Sequence, residues 1–350
     1  MKVDLDTGWH PTIEEYHALA KEGVWSSSMI WGDFLPPYGH PRLARARHLD
    51  RTKPDQPWTL DMWRGTLVDA MCFDGARFEI HTRGRGDKEY TFAFFGAPGK
   101  SPICVVPPIG IDKRTSHGKW SWGDFTGVVG NTPVMGLSAS GRLEATGANA
   151  VMAQAQQVFD WINGNDAEPR PGGVIAARRF LAGKGESQLS HRFKFGGLDL
   201  RWRPDRIVEI EGGGYAHVSL KVTKHKAPRD MWRHYGTSWR ARDAFYELGW
   251  SYLVSEQAGE GVEYGSLPWT EDGMYIGPEP LQWVIVAAHH DPVPQCYCYV
   301  VPEEQKRLGR RECREGLSLL RECVQTNQWS LPEEREVLVG EDPKPWEFRK

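Results

Sequence analysis

The stretch that decides the fold runs from residue 201 to residue 246. Its successive parts are RWRPDRI (201–207), a run of three glycines (212–214), YAHVSLKVT (215–223) and RDAFY (242–246), which ends a basic, aromatic segment. The glycine run is typical of a turn, so the segments on either side are predicted to pair as strands. A helix is expected to follow the second strand.

One acid and one lysine stand on these two predicted strands. Pairing across the turn brings Asp205 near residues 217–221, and strand alternation puts His217, Ser219 and Lys221 on one face. Hydrolysis of a phosphodiester needs a divalent ion held by carboxylates, a water activated by that ion, and a cation. Asp205 can supply a ligand and Lys221 the cation, which is the layout of a metal-dependent nuclease core. Ser219 stands where a second carboxylate is expected, and a hydroxyl is a poor ligand for Mg²⁺.

Length and composition indicate a soluble globular protein. The 350 residues allow one elaborated domain or two, and 40% apolar with 25% charged residues is ordinary for this class. The longest apolar run (283–288) is far too short to span a membrane, and the start, MKVDLD, lacks a secretory core. We therefore expect a cytoplasmic protein with no membrane partner. Six cysteines without a C-x-x-C pair favour reduced thiols over a zinc or iron–sulfur site.

Positive charge is concentrated in the middle of the chain. Residues 170–242 hold 16 Lys and Arg but only 6 Asp and Glu, whereas the whole chain has a net charge of −3. A basic middle between acidic flanks suits an anionic polymer bound at one face. A solvated basic surface is the alternative.

Periodicity and turn residues predict the remaining elements. Helices are expected at 11–22, from Leu60 to residue 71, and at 142–162, and the second of these carries Asp69 as an inward-facing acid. Strands are expected between residues 77 and 107, and residues 31–58 are predicted to be irregular loop.

The best linker in the sequence, residues 164–173, divides the chain into two parts. We predict an N-terminal part with helices and strands (1–163), which completes the fold, and a core with Asp205 and Lys221 (174–330). In this core a crossover helix near residues 239–253 precedes a continuous apolar run at 284–288, as a buried central strand requires. Residues 331–350 are predicted to be an irregular tail.

Several short motifs follow one another along the chain. They are LD (60–61) with GT (65–66), DKRT (112–115) with GK (118–119), ES (186–187), RPDRI (203–207), LKVT (220–223) and DAFY (243–246). In residues, order and interval the chain resembles the phage and prophage exodeoxyribonuclease VIII (RecE-type) family of the PD-(D/E)xK nuclease superfamily. The resemblance spans roughly residues 11–330.

The resemblance implies an α/β (α+β) fold with a restriction-endonuclease-like core, in which helices flank a central mixed sheet. It also implies digestion of duplex DNA from an end with Mg²⁺ or Mn²⁺ as cofactor. A ring-shaped homo-oligomer and a strand-annealing recombinase partner in phage recombination are implied as well, in the cytoplasm of a bacterial host.

By position, Asp205 matches the family's first metal aspartate, Lys221 its lysine, and Glu186 the acid at the start of the preceding strand. Three departures make the metal site degenerate. Ser219 replaces the second metal aspartate, and Asp69 stands where the family has histidine. Arg242 replaces the glutamine of the Gln-x-x-x-Tyr motif, in which Tyr246 is kept.

Two functional hypotheses follow from these site residues. In the first, the protein is an active nuclease with Lys221, Asp205 and Asp69 as catalytic residues. Its metal ligands then come from Asp205, Asp69, Glu186 and the Ser219 position. Glu209 is a further candidate for the missing carboxylate. In the second, the fold persists without cutting, as a DNA-binding or assembly protein. The residues expected to contact DNA are Arg114, Lys119, Arg203, Lys224, Arg242 and Tyr246.

Overall fold

A computed structural model describes residues 3–5, 13–36, 39–51, 58–84, 86, 89–109, 116–137, 142–163, 172–223, 235, 239–259, 266–289 and 295–331. Its strands are β1 (Arg77–Arg83), β2 (Tyr90–Gly96), β3 (Cys104–Val106), β4 (Gly185–Ser187), β5 (His191–Phe195), β6 (Leu198–Trp202), β7 (Arg206–Glu209), β8 (Tyr215–Thr223), β9 (Leu281–His289) and β10 (Gln295–Val300). Its α-helices are α1 (Ile13–Ala18), α2 (Pro41–Ala44), α3 (Leu60–Phe73), α4 (Ser116–Val129), α5 (Ala145–Asn163), α6 (Gly172–Ala182), α7 (Arg240–Gln257) and α8 (Glu303–Thr326).

The central sheet has five strands in the order β10-β9-β8-β7-β4. β7 and β8 are antiparallel and are joined through the three glycines at 212–214, whose φ angles of 93°, 101° and 88° lie in the region that favours glycine. β8 and β9 are parallel, so the chain between them must cross over, and α7 lies in that crossover. The sheet is therefore mixed and flanked by helices, and the predicted fold class is confirmed.

Helices cover both faces of this sheet. On one face Tyr215 and Trp283 pack with Phe245 of α7 and with apolar residues of α8. On the other face Val218 and Val284 pack with apolar residues of α3, α5 and α6. Since both faces are buried, β9 is apolar along its length, which is why its sequence reads as one continuous run.

Two smaller sheets complete the described fold. The antiparallel sheet β1-β2-β3 packs Phe92 against Phe125 of α4, and its opposite face contributes Phe95 to the core formed with α3 and α5. The hairpin β5-β6 turns at Gly196 and Gly197 and leads directly to Asp205. No helix among the described residues is long and apolar enough to cross a membrane.

One prediction about the connecting segments needs correction. Residues 31–58 were expected to be irregular, but π-helices occupy Met29–Phe34 and Arg45–Leu49, with α2 between them. Their Pro, Gly and His content predicts a loop, yet contacts of Asp33 with Arg47 and His48 hold them in helical form. The predicted linker overlaps α6, which begins at Gly172, while residues 164–171 and 332–350 lie outside the described part.

Candidate functional site

Asp205 and Lys221 meet at the end of the paired strands β7 and β8. Asp205 precedes β7, and its Oδ2 accepts a hydrogen bond from the backbone N–H of Leu220 at 2.8 Å. The same oxygen lies 3.2 Å from Nζ of Lys221 and 3.4 Å from Oγ of Ser219. Both charged side chains are only partly exposed, so their attraction is less screened than that of a surface pair. The two residues lie together, as their strand positions predict.

Lys221 is held in place by more than its carboxylate partner. Its Nζ also donates to the carbonyl oxygen of Leu220 at 3.2 Å, and it lies 6.0 Å from the centre of the Trp239 ring. A lysine on a largely buried strand needs such compensation, because burial disfavours an isolated charge. The ammonium group is thus fixed beside Asp205.

Asp69 approaches the same place from α3. The residue as a whole keeps some exposure, but its Oδ1 is buried and accepts no hydrogen bond among the described residues. The pKa of Asp69 is raised well above its ordinary value, first by burial and then by the negative charge of Asp205, while Lys221 acts in the opposite direction. Asp69 therefore lies near enough to Asp205 and Lys221 for both of their charges to act on it.

This pair of carboxylates fits a divalent cation. A bound cation would relieve the repulsion between Asp69 and Asp205 and would give the buried Oδ1 of Asp69 a partner. Mg²⁺ is commonly held by one or two carboxylates and keeps several waters, so two acids suffice. Among the described residues, no three His, Cys, Asp or Glu side chains lie close enough to surround one ion.

The other proposed carboxylates lie elsewhere. Glu186 is on β4, paired with Ile207 and two strands away from β8, and the charge that it acts on is Arg206. Glu209 ends β7, about 13 Å along the strand from Asp205, and pairs with Lys184 at 2.8 Å. Neither is brought to the Asp69 and Asp205 pair.

A buried acid on the α7 side of the sheet, Asp243, is not among the predicted site residues. Asp243 is 3% exposed and lies 3.6 Å from Nδ1 of His217. Burial raises the pKa of Asp243 to about 7, and Lys221 and the nearby Tyr235 hydroxyl act to lower it. Burial lowers the pKa of His217 to about 3, so the ring is neutral and this contact is not an ion pair. An acid in the first turn of this helix was the available signal.

Tyr246 also lies on the α7 side of the central sheet. Its ring centre is 4.8 Å from that of His217, and its hydroxyl accepts a hydrogen bond from Oγ of Ser27 at 3.0 Å. Burial raises the pKa of Tyr246 to about 12, so the hydroxyl keeps its proton. The N-terminal segment is thereby fastened to α7 beside the site.

The residues expected to contact DNA are distributed over several places. Arg203 lies next to the Tyr16 ring. Arg242 stands in the first turn of α7, and its guanidinium lies next to Gly32. Lys119 is exposed on α4, which packs on the outer sheet. Arg114 and Lys224 lie outside the described residues. Of these residues, Tyr246 is near enough for the charge of Asp205 to act on it, and Arg203 is two residues from Asp205 in the chain.

Comparison with known proteins identifies a shared fold. No family model and no curated protein matches the chain. A crystal structure from Eubacterium rectale, of a protein named a candidate exonuclease, matches 96% of this chain and 97% of its own, with a TM-score of 0.50 and 12% identity. The two chains have the same fold. A second solved structure, SSO0001, matches 49% of this chain and 61% of its own at a TM-score of 0.23 and 12% identity, too low to support an argument.

Proposed function

We propose that the protein is a metal-dependent nuclease that digests duplex DNA from an end. The observation that carries this proposal is the contact of Asp205 with Lys221 at the end of β7 and β8, with Asp69 of α3 near enough for both charges to act on it. Carboxylates that repel each other beside a fixed ammonium group are the arrangement expected where a cation and a phosphate bind together.

Asp69 and Asp205 are the residues that would hold Mg²⁺ or Mn²⁺. The ion, when bound, would polarise a phosphoryl oxygen and make a water molecule more acidic. The backbone N–H of Leu220 and the ammonium of Lys221 hold the Asp205 carboxylate in one orientation. Lys221 places a positive charge where negative charge develops on the phosphate, and its anchoring at Leu220 limits its movement.

The nucleic-acid substrate is proposed from the charge distribution. The basic middle of the chain includes Arg203, two residues before Asp205, and Arg242 in the first turn of α7. Action in phage recombination, a ring-shaped homo-oligomer, a strand-annealing partner and the cytoplasm of a bacterial host are further proposals. They rest on the RecE-type resemblance of the sequence.

A second candidate function is supported by Ser219. This hydroxyl lies 3.4 Å from Asp205, where a carboxylate would complete a site of three acids. Among the described residues no three acidic, His or Cys side chains form such a site. Loss of a metal carboxylate removes several kcal/mol of transition-state stabilisation by typical estimates. The alternative is therefore a protein that binds DNA ends or assembles on DNA without cutting it.

Digestion of end-labelled linear duplex DNA distinguishes the two functions. With Mg²⁺ or Mn²⁺ the wild type should shorten the linear duplex and leave a covalently closed circle intact, and Lys221→Ala should abolish shortening. Lys184→Ala is the matched control, because Lys184 is 69% exposed and pairs with Glu209 away from the site. DNA that is bound but remains full-length with both metals would reject the nuclease in favour of the second function. Light scattering of the purified protein tests the proposed oligomer.

A further inference from the structure

A buried arginine next to the candidate site has N–H groups that donate no hydrogen bond within the described part of the chain. Arg201 is 2% exposed, and its Nε and Nη1 have no hydrogen-bond partner among the described residues. Its only described polar contact is from Nη2 to the sulfur of Met29 at 3.6 Å. A guanidinium stays protonated at neutral pH, so this is a buried positive charge with a weak partner.

Arg203 stands beside it on the same side of the chain. Both guanidinium groups lie against the ring of Tyr16, Arg201 at 4.3 Å and Arg203 at 5.3 Å from its centre. Arg203 contacts the side-chain oxygen of Gln188, but its Nη1 is also buried without a partner among the described residues. No carboxylate of the described part lies within 4 Å of either arginine as an ion-pair partner, although Asp74 acts on Arg203 from further away.

These two arginines adjoin the proposed catalytic residues. Arg203 is two residues before Asp205, and Tyr16 lies near Tyr246, which packs on His217. Two guanidinium groups with unused N–H donors match a phosphate, because each can donate a charge-assisted hydrogen bond to one of its oxygens. Burial makes those bonds strong and makes an unpaired state costly.

We propose that Arg201 and Arg203 form a phosphate-binding subsite for the DNA strand, with Tyr16 as its cover. The inference rests on the proposed function, since it assigns a phosphate of that substrate to this place. An anion reaches the inner guanidinium when the Tyr16 side chain rotates away from the two arginines. The shared chemistry is a phosphate oxygen, which belongs either to a terminal phosphate or to an internal diester.

DNA binding without cleavage tests the subsite. Affinity is measured in EDTA for short duplexes with phosphorylated or hydroxyl ends, at several salt concentrations, for wild type, Arg201→Met and Arg203→Gln. Arg201→Met keeps an apolar side chain of similar length against Met29 and Tyr16. The matched control is Arg192→Gln, an arginine that pairs with Arg201 across β5 and β6 but is exposed and bound to Glu22 and Asp199.

We expect each subsite variant to bind DNA roughly 10-fold or more weakly, and the slope of log affinity against log salt to fall by about 1. A loss confined to phosphorylated ends identifies a terminal phosphate, and an equal loss for both ends identifies an internal diester. Wild-type affinity and slope in Arg201→Met and Arg203→Gln would overturn the proposal.

A second measurement separates this subsite from the proposed function. Inorganic phosphate, added without DNA, should raise the melting temperature of the wild type and of Arg192→Gln but not that of Arg201→Met. If that pattern appears while the wild type binds no DNA, the subsite stands and the proposed function fails. Equal stabilisation of all three proteins, or of none, would reject the subsite.

Discussion

Replacing Asp243 by asparagine is expected to stabilise the protein, and the gain should grow with pH. The folded-state pKa of Asp243 is raised from 3.8 to about 7, mainly by burial. Between these two values the folded protein keeps a proton that the unfolded chain has lost. The free energy of unfolding therefore falls as pH rises through this window. Above the folded-state pKa the destabilisation by Asp243 reaches its full size.

The size of this effect follows from the pKa difference. Each unit corresponds to about 1.4 kcal/mol, so Asp243 costs about 4 kcal/mol as an upper limit at pH 8 and about 1.6 kcal/mol at pH 5. Asparagine keeps an oxygen that can accept the hydrogen bond from Tyr235 and carries no charge at either pH. The gain from Asp243→Asn should thus be larger at pH 8 than at pH 5 by roughly 2 to 3 kcal/mol.

Urea unfolding of wild type and Asp243→Asn at the two pH values measures this difference directly. Asp61→Asn is the control, because that carboxylate is largely exposed and pairs with Arg64 within one turn of α3. A gain that is the same at pH 5 and pH 8, or a loss at pH 8, would refute the reasoning from burial.

Three further predictions concern packing, charge burial and the metal site. Gly249→Ala should lower the melting temperature, because the added carbon would lie 2.4 Å from the ring of Trp202, and overpacking costs about 1–3 kcal/mol. Glu247→Ala should destabilise the protein by about 3–5 kcal/mol in urea unfolding, because it leaves Arg310 buried without its main partner. Ser219→Asp should lower stability in EDTA through added negative charge, and Mg²⁺ should then raise its melting temperature more than that of the wild type.

Each of these three predictions has an outcome that contradicts it. Unchanged melting of Gly249→Ala would reject the tight approach, and Gly127→Ala, where an added carbon meets nothing, is its control. A loss below about 1 kcal/mol for Glu247→Ala would show that the buried pair is replaceable. Equal responses of Ser219→Asp and wild type to Mg²⁺ would place residue 219 outside the metal site.

The contact between Asp205 and Lys221 could be predicted from the sequence because it depends on local rules. A glycine turn fixes which strands pair, and alternation then decides which side chains share a face. The apolar run of β9 predicts a central strand for the same reason. Each of these inferences uses residues that are close in the chain or that follow a simple period.

The rest of the site depends on packing between distant segments. Asp69 reaches Asp205 only because α3 packs across the sheet, and the two residues are far apart in the sequence. The burial of Asp243 depends on how α7 lies on β8, and a helix pattern alone does not give that distance. Glu186 starts a strand at the expected place, but strand order puts it at the opposite edge from β10 and away from Asp69.

Binding of Mn²⁺ in the absence of DNA, followed by electron paramagnetic resonance, tests the central claim most directly. The wild type and Lys221→Ala should each bind Mn²⁺ at one site, because Lys221 is not a ligand. Asp69→Asn and Asp205→Asn should each lose that binding. Undiminished Mn²⁺ binding in both aspartate variants, or none in the wild type, would contradict a metal site built on these two carboxylates.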